Sequence, residues 1–251
     1  MNIVSWNLNG MRAVERQGFG EWVRSFPADL LCFQEIKLQE NQVSEAIRSL
    51  DGYTQLYNCA EKKGYAGVAV FTVQPPLTVH TEIGHDRFDA EGRMLCLEFP
   101  ECFLVNLYLP HGGRQKEHLA YKLEVYAVLR RYLSGLSGKP IVLTGDFNIA
   151  HSELDLARPT QNRGNIMFTP EERAQLDQLT QLGYHDTFRA LHPEERAYSW
   201  WPYLASARAN NIGWRIDYIF TTLSPTSITA AGMLPSACGS DHCPVFADLL
   251  L

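Results

Sequence analysis

The stretch Pro140-Ile141-Val142-Leu143-Thr144-Gly145-Asp146-Phe147-Asn148 sets an acid and an amide two residues apart behind a short apolar run. Ile141–Leu143 reads as a buried strand that Gly145 ends. On extended backbone, residues two apart share a face, so Asp146 and Asn148 would stand side by side at the end of a rigid element. Alone, the pattern reads first as an Asx-rich turn. The sharper reading, half of a catalytic site, depends on whether other strands end the same way.

They do. Ile3–Trp6 leads into Asn7, Leu30–Phe33 into Glu35, and Leu104–Leu107 into Tyr108; Ser240-Asp241-His242-Cys243-Pro244 precedes the last apolar run. Asp217 lies within the apolar segment Arg215–Phe220, where a buried acid needs a partner. His242 is the natural one, since a carboxylate beside an imidazole fixes its tautomer and raises its pKa. Glu35, Asp146 and Asp241 are hard oxygen ligands, Asn7 and Asn148 neutral oxygen donors, and His242 the one imidazole of the expected ligand set. That composition suits Mg²⁺ or Mn²⁺ rather than zinc. Mg²⁺ held by few carboxylates and several waters is the usual arrangement for phosphate-ester chemistry. The sequence has no G-x-x-x-x-G-K-[ST], G-x-S-x-G or G-x-G-x-x-G, so nucleotide-driven transfer, serine hydrolysis and dinucleotide binding lose support. Cys238 and Cys243 flank His242, but strand packing accounts for Cys243 as well as a thiol nucleophile does.

The elements that must position these residues follow from periodicity. Phe19–Phe26 has helical spacing and stops at Pro27, and Val43–Leu50 is a short helix candidate. Tyr53–Tyr57, Gly67–Thr72, Leu77–Thr81, Met94–Phe99 and Phe103–Leu109 read as a meander of antiparallel strands. Leu119, Leu123, Tyr126, Leu129 and Leu133 recur at spacings of 4, 3, 3 and 4, the apolar stripe of a long helix. Thr169 is an N-cap, Pro170 the first helical residue and Glu172 the reciprocal residue of a capping box, with Gly183 past the helix end. Tyr198–Trp201, Arg215–Thr221 and Pro244–Leu249 are the last strand candidates, and Pro202–Gly213 is an irregular or helical connection. The layout implies an α/β fold of two mixed, mostly antiparallel sheets packed face to face with helices outside.

At 251 residues the chain is within reach of a single domain, and one domain over 1–251 is expected. Its 45% apolar and 20% charged residues describe an ordinary soluble globule, without an apolar run of membrane-spanning length. Met1 leads straight into the first strand without a signal-like leader, so a cytoplasmic protein is expected, and the six cysteines, none in a C-x-x-C pair, are expected as buried free thiols. The net charge of −6 argues mildly against non-specific nucleic-acid binding, although a basic patch can coexist with an acidic remainder. Nothing in the sequence calls for more than a monomer.

Ser5-Trp6-Asn7-Leu8-Asn9-Gly10-Met11-Arg12-Ala13, Leu31-Cys32-Phe33-Gln34-Glu35-Ile36-Lys37 and Gly64-Tyr65-Ala66-Gly67-Val68 resemble motifs of the exonuclease III family of DNA-repair nucleases. So do Glu91-Gly92-Arg93, Tyr108-Leu109-Pro110, Gly145-Asp146-Phe147-Asn148-Ile149-Ala150-His151, Gly213-Trp214-Arg215-Ile216-Asp217-Tyr218 and Gly239-Ser240-Asp241-His242-Cys243-Pro244. Each motif is weak alone; the ordered set, running nearly end to end, is specific. The resemblance implies the four-layer α/β sandwich of the DNase I-like superfamily. It implies Glu35 as the principal Mg²⁺ ligand with Asn7 beside it, and Asp146 as the residue that deprotonates or orients the attacking water. Asn148 would support a phosphate oxygen as charge develops. His242, paired with Asp217, and Tyr108 would contact the phosphate, and Asp241 would lie near the leaving group or a second metal position. The implied reaction is Mg²⁺-dependent hydrolysis of DNA on the 5′ side of an abasic site, with 3′–5′ exonuclease and 3′-end-cleaning activity on the same site. Trp200, Trp214 and Ile216 match positions lining a pocket for an extrahelical abasic sugar. Arg114 matches a DNA-contacting arginine, and Asn162 and Asn165 fall in a loop that tracks the DNA backbone.

Three positions depart from the resemblance. Asn9 stands where relatives carry Asp or Asn, His111 where they often carry Asn, Ser or Gln, and Met167 where abasic-site enzymes usually have a small residue. A bulky Met167 would narrow the pocket and shift the balance toward a specialised 3′-exonuclease with weak abasic-site cleavage. Two other readings carry less support: a superfamily phosphomonoesterase acting on inositol phosphates or lipids, and a non-catalytic nucleic-acid-binding regulator on the same scaffold. The second would have lost the metal or nucleophile positions, and here they are all present.

Overall fold

The computed structural model describes residues 1–204 and 206–251. Among these residues, twelve strands fall into two six-stranded sheets. The first half of the chain contributes β1 (Asn2–Asn7), α1 (Met11–Glu15), α2 (Phe19–Ser25), β2 (Leu30–Gln34), α3 (Glu45–Arg48), β3 (Thr54–Asn58), β4 (Val68–Thr72), β5 (Thr78–His80), α4 (Asp86–Ala90), β6 (Met94–Glu98) and β7 (Phe103–Tyr108). The second contributes α5 (Leu119–Gly135), β8 (Ile141–Asp146), α6 (Pro159–Asn162), α7 (Pro170–Gln181), β9 (His185–Asp186), α8 (Thr187–Leu191), β10 (Asp217–Thr221), β11 (Ile228–Met233) and β12 (Val245–Leu249). One sheet has the order β11-β12-β1-β2-β4-β3 and the other β5-β6-β7-β8-β10-β9.

The central strands are apolar on both faces because both faces are covered. Ile3, Leu30, Cys32, Val68 and Val70 of one sheet meet Leu95, Leu97, Leu104, Val142 and Ile219 of the other. The alternate residues Val4, Trp6, Leu31, Phe33 and Phe71 face α1, α2 and α3 through Met11, Phe19, Val23 and Ile47. On the far side, Val105, Leu107, Leu143 and Phe220 pack on Val125, Tyr126, Leu129 and Leu133 of α5 and Leu176 and Leu179 of α7. The result is the expected four layers. Between the sheets a buried amide pair replaces apolar contact: Gln34 Nε2 donates to Asn106 Oδ1 (2.7 Å) and Ser5 Oγ (2.9 Å), and Asn106 Nδ2 to the Phe33 and Ala69 carbonyls. It registers β2 against β7 just behind the end where both run out.

Several expectations need correction. The meander does not form one run: β3 and β4 pair in the first sheet, whereas β5, β6 and β7 pair in the second. The helix expected over Val43–Leu50 shrinks to α3, capped by Ser44, behind a 3₁₀ turn at Glu40–Gln42. Tyr198–Trp201 is not a strand; Trp200 makes isolated bridges to Trp214 and His242. On α5 the buried face is Lys122, Val125, Tyr126, Leu129 and Leu133, with Leu119 and Leu123 only half-buried. Four thiols are buried, but Cys59 is half-buried and Cys238 exposed. The capping box at Thr169–Glu172 forms as expected, with Pro170 at the start of α7 and Gly183 at φ +89 past its end. The connection Pro202–Gly213 contains Ala205, which lies outside the described residues.

Candidate active site

Two parallel pairings bring the strand ends together. β1 lies parallel to β2 with Asn7 opposite Gln34, and β7 parallel to β8 with Tyr108 opposite Asp146. Antiparallel β10 begins at the same end, placing Asp217 opposite Asp146. Tyr108, Asp146 and Asp217 therefore stand in one row across three adjacent strands. Gly145 permits the close approach of β8 to β7: its φ is +135°, and a Cβ there would sit 1.9 Å from the Leu107 carbonyl oxygen.

Asp146 is 2 % exposed, and its hydrogen-bond donors among the described residues are all amides. Asn7 Nδ2 donates to Asp146 Oδ2 from the other sheet (2.9 Å), the Asn148 backbone N–H donates to Oδ1 (2.8 Å), and Asn148 Nδ2 reaches Oδ2 at 3.2 Å and the Leu109 carbonyl at 2.8 Å. Both Asn148 amide hydrogens are thus engaged, and its nearest task is to aim Asp146. Asp217 Oδ2 accepts from His242 Nδ1 (2.9 Å) and Ser199 Oγ (2.6 Å), while Asp217 Oδ1 is buried without a partner among the described residues. Ser240 Oγ donates to the Asn7 carbonyl and accepts from the His242 N–H, and Trp6 Nε1 donates to the His242 carbonyl. Ser199, within the strand candidate Tyr198–Trp201, and Ser240, within the Gly239–Pro244 motif, have no site role assigned from the sequence; tertiary contact gives them one.

Charge follows these contacts. Burial, reinforced by the neighbouring Asp217 carboxylate, pushes the Asp146 pKa up, against the pull of His242 and the amide donors. Burial works against a charged His242, but Asp217, with Asp146 and Asp241 behind it, outweighs burial and holds the imidazolium well above its ordinary value. Burial and the Glu35 carboxylate keep the Tyr108 phenol protonated, and Arg93 stacks on its ring, 4.4 Å from the centroid, while donating to the Tyr108 carbonyl.

Asp146, Asp217 and His242 offer ligand atoms within 4.8 Å of one another. Glu35 and Asp241 lie outside that group, on a separate chain of contacts. Lys37 Nζ is 2.9 Å from Glu35 Oε1 and donates to Asn9 Oδ1 (2.5 Å); Asn9 Nδ2 donates to Asp241 Oδ1 (2.9 Å), and Trp200 Nε1 to Asp241 Oδ2 (2.9 Å). Asn9 also reaches Asn7, its N–H donating to Asn7 Oδ1 (2.9 Å). The oxygen-rich donors and the orphaned Asp217 Oδ1 fit a hard divalent cation. Asn9, Glu35, Lys37, Asn148 and Met167 all take positive φ, between +47 and +68°, a concentration of backbone strain around the site that the sequence does not reveal.

Beside the carboxylates opens a cavity of about 760 Å³, lined by His111, Arg114, Asn165, Met167, Trp200, Trp214 and Asp241 among others. Two expected DNA contacts are placed elsewhere. Ile216, 1 % exposed, lies beneath the wall, packed with Met167, Phe168 and Trp214. Asn162 ends α6 and accepts from Asn165 Nδ2 (3.0 Å), bracing the residue that reaches the cavity. Lys116 and the exposed Tyr203 and Leu204, to which the sequence assigns no role, also line it.

Comparison with known proteins agrees with this geometry. The profile of the Endonuclease/Exonuclease/phosphatase family matches residues 4–242. The exodeoxyribonuclease of Bacillus subtilis is 42% identical over 249 residues, 98% of each chain. Among solved structures, an AP endonuclease from Archaeoglobus fulgidus superposes with a TM-score of 0.91 at 26% identity, covering 100% of both chains. The 3′-5′ exonuclease NExo from Neisseria meningitidis gives 0.90 at 27% identity over 99% of each chain.

Proposed function

The chain belongs to the Endonuclease/Exonuclease/phosphatase family, as a nuclease of the exodeoxyribonuclease and AP-endonuclease type, and within it we propose a Mg²⁺-dependent DNA-repair enzyme. It hydrolyses the phosphodiester 5′ to an abasic site in double-stranded DNA, removes 3′ nucleotides and cleans 3′-blocked ends, acting as a cytoplasmic monomer in one domain. The observation that carries this reading is the meeting of amide-held Asp146 with the Asp217–His242 pair, joined through the Trp200–His242 bridge to a cavity lined by Asp241, Arg114, Trp200 and Trp214.

Glu35 with Asn7, Asp146 and Asp241 are the oxygens that would hold Mg²⁺, with Asn148 at the margin of that set and His242, as an imidazolium, outside it. When bound, the ion supplies Lewis-acid polarisation of the phosphoryl group. Asp146 takes the proton of the attacking water. Asn7 and Asn148 fix the carboxylate orientation that this transfer requires. His242, kept cationic by Asp217, and the protonated Tyr108 donate to the non-bridging oxygens as charge builds there. Asn148 joins them by exchanging its longer contact to Asp146 for a phosphate oxygen. Arg114 meets the DNA backbone, and Trp200 and Trp214 offer apolar walls to a sugar that has lost its base.

Met167 supports a second reading. It is 5 % exposed on the cavity wall, where its side chain takes up room that an abasic sugar would need. A specialised 3′-exonuclease with weak abasic-site cleavage follows if that wall is closed, and NExo is described as an exonuclease. Incubation with an abasic-site duplex, a 3′-phosphate duplex and a blunt duplex, each with Mg²⁺ or EDTA, tests both. Cleavage of none of the three with Mg²⁺ overturns the proposal; cleavage of the last two alone selects the second reading.

A further inference from the structure

Lys122 lies in the first turn of α5 with its side chain 0 % exposed, as is that of its ion-pair partner Glu172 at the start of α7. An ammonium has three donors. Here they reach the Glu172 Oε1 (2.6 Å), the Asn148 carbonyl (2.6 Å) and, at longer range, the His111 carbonyl (3.4 Å). These acceptors come from three separate segments: the start of α7, the turn after β8, and the connection from β7 to α5. Glu172 Oε2 in turn accepts the Thr169 N–H, just beyond Met167 and Phe168, and the Met167 carbonyl accepts the Ala150 N–H (2.8 Å).

Stability alone is a poor account of this arrangement. Burying both ions carries a desolvation penalty of several kcal/mol per ion, and an apolar pair of similar volume is often as stable. What an apolar pair cannot do is hold a carbonyl. Asn148 sits at φ +53, in the left-handed region that Asn enters more readily than most residues, so its contacts rather than its own preference decide which turn it keeps. The Asn148 N–H and side chain then aim Asp146.

We propose that Lys122 is a positioning residue: its ammonium fixes the Asn148 turn and, through Glu172, ties that turn to the loop carrying Asn165 and Met167. The proposal rests on the nuclease reading above for its kinetic consequence. The variants are Lys122→Met and the double variant Lys122→Met/Glu172→Gln, which removes both charges yet leaves residue 172 able to accept the Thr169 N–H. Lys122→Met leaves a buried carboxylate unpaired and loses thermal stability; the double variant recovers most of it and remains informative even where the single variant does not fold. In both, kcat on a tetrahydrofuran-site duplex falls about 10²-fold, the scale of a misplacement near 1 Å, while the affinity for that duplex, read by fluorescence anisotropy in EDTA, stays unchanged. The Asn148 side-chain amide resonances, assigned by their loss in Asn148→Asp, shift in the double variant. Recovery of kcat together with the melting temperature, or unmoved Asn148 resonances, overturns the proposal. Wild-type protein that fails to cleave with Mg²⁺ overturns the nuclease reading instead, and the resonances still decide the role of Lys122.

Discussion

Asp146 and Asp155 are the same residue type, nine positions apart and almost equally buried at 2 % and 1 % exposure, yet they sit in opposite electrostatic settings. Asp155 is saturated with donors: Arg215 Nε at 2.7 Å, Arg189 Nη2 at 2.5 Å, and the backbone N–H and hydroxyl of Ser152 at 2.8 Å each. Arg215 is also tied to Asp186 at 2.7 Å. Burial alone would raise the Asp155 pKa, but the two guanidinium groups overrule it and hold the carboxyl well below the ordinary range. Asp146 has amide donors, a second carboxylate beside it and a raised pKa. Burial depth therefore does not separate a structural acid from an available one; the identity of its partners does.

The largest expected effect breaks the comparison at its functional end. Asp146→Asn removes the base and lowers kcat by about 10²–10⁴-fold, the usual contribution of a positioned proton acceptor. The melting temperature does not fall, because one of two adjacent buried carboxylates is neutralised. Steady-state cleavage and a thermal melt on the same preparation check both halves, and unaltered Mg²⁺-dependent cleavage would sink the mechanism. Asp155→Asn should behave in reverse. It leaves Arg215 and Arg189 without their shared counter-charge, with an expected loss of about 3–5 kcal/mol of stability in urea titration. Turnover per folded molecule stays within the wild-type range. If kcat falls further than stability, Asp155 is not the structural member of the pair.

The pH dependence sharpens the same contrast. Because its folded-state pKa is depressed, Asp155 contributes its full stabilisation above the unfolded-state value of about 3.9, and loses it as pH falls from there through the folded value. Urea titrations below about pH 4 should show wild-type stability falling more steeply than that of Asp155→Asn, by at most about 1.4 kcal/mol per pH unit. Parallel curves would mean that Asp155 is not held charged by its arginines.

The two regions also differ in how far they could be read beforehand. Asn7, Glu35, Tyr108 and Asp146 were legible because each follows an apolar run, and a polar residue at a strand end leaves a mark that periodicity can find. Lys122 was not: it falls inside a stripe of leucines, and the helix turns so that Lys122 and Val125 are buried where Leu119 and Leu123 were expected. Ser199, Ser240 and the Gln34–Asn106 pair carry side chains that composition assigns to surfaces; only tertiary contact makes them interior. Aromatic β-propensity misleads at Tyr198–Trp201, where Trp200 lines the cavity and Trp201 packs with Tyr198 and Cys243 rather than joining a ladder. The weakly apolar Ile228–Met233, with two alanines and a glycine, hid an edge strand.

Met167 lies between the two regions, touching the cavity on one side and the Leu156–Ile216 packing beside Asp155 on the other. Its φ of +68 disfavours any L-residue by about 1–2 kcal/mol, which glycine would relieve. Loss of a buried methionine side chain opposes that gain by about 2–5 kcal/mol, so Met167→Gly should be neutral to moderately destabilising. The added room at the wall favours an abasic sugar over an ordinary 3′ terminus. The ratio of kcat/KM on an abasic-site duplex to that on a 3′-phosphate duplex should rise about 10-fold, the lower end of what one pocket-filling group discriminates. A ratio unchanged within error would remove Met167 from the specificity wall and leave it as packing between the two aspartate clusters.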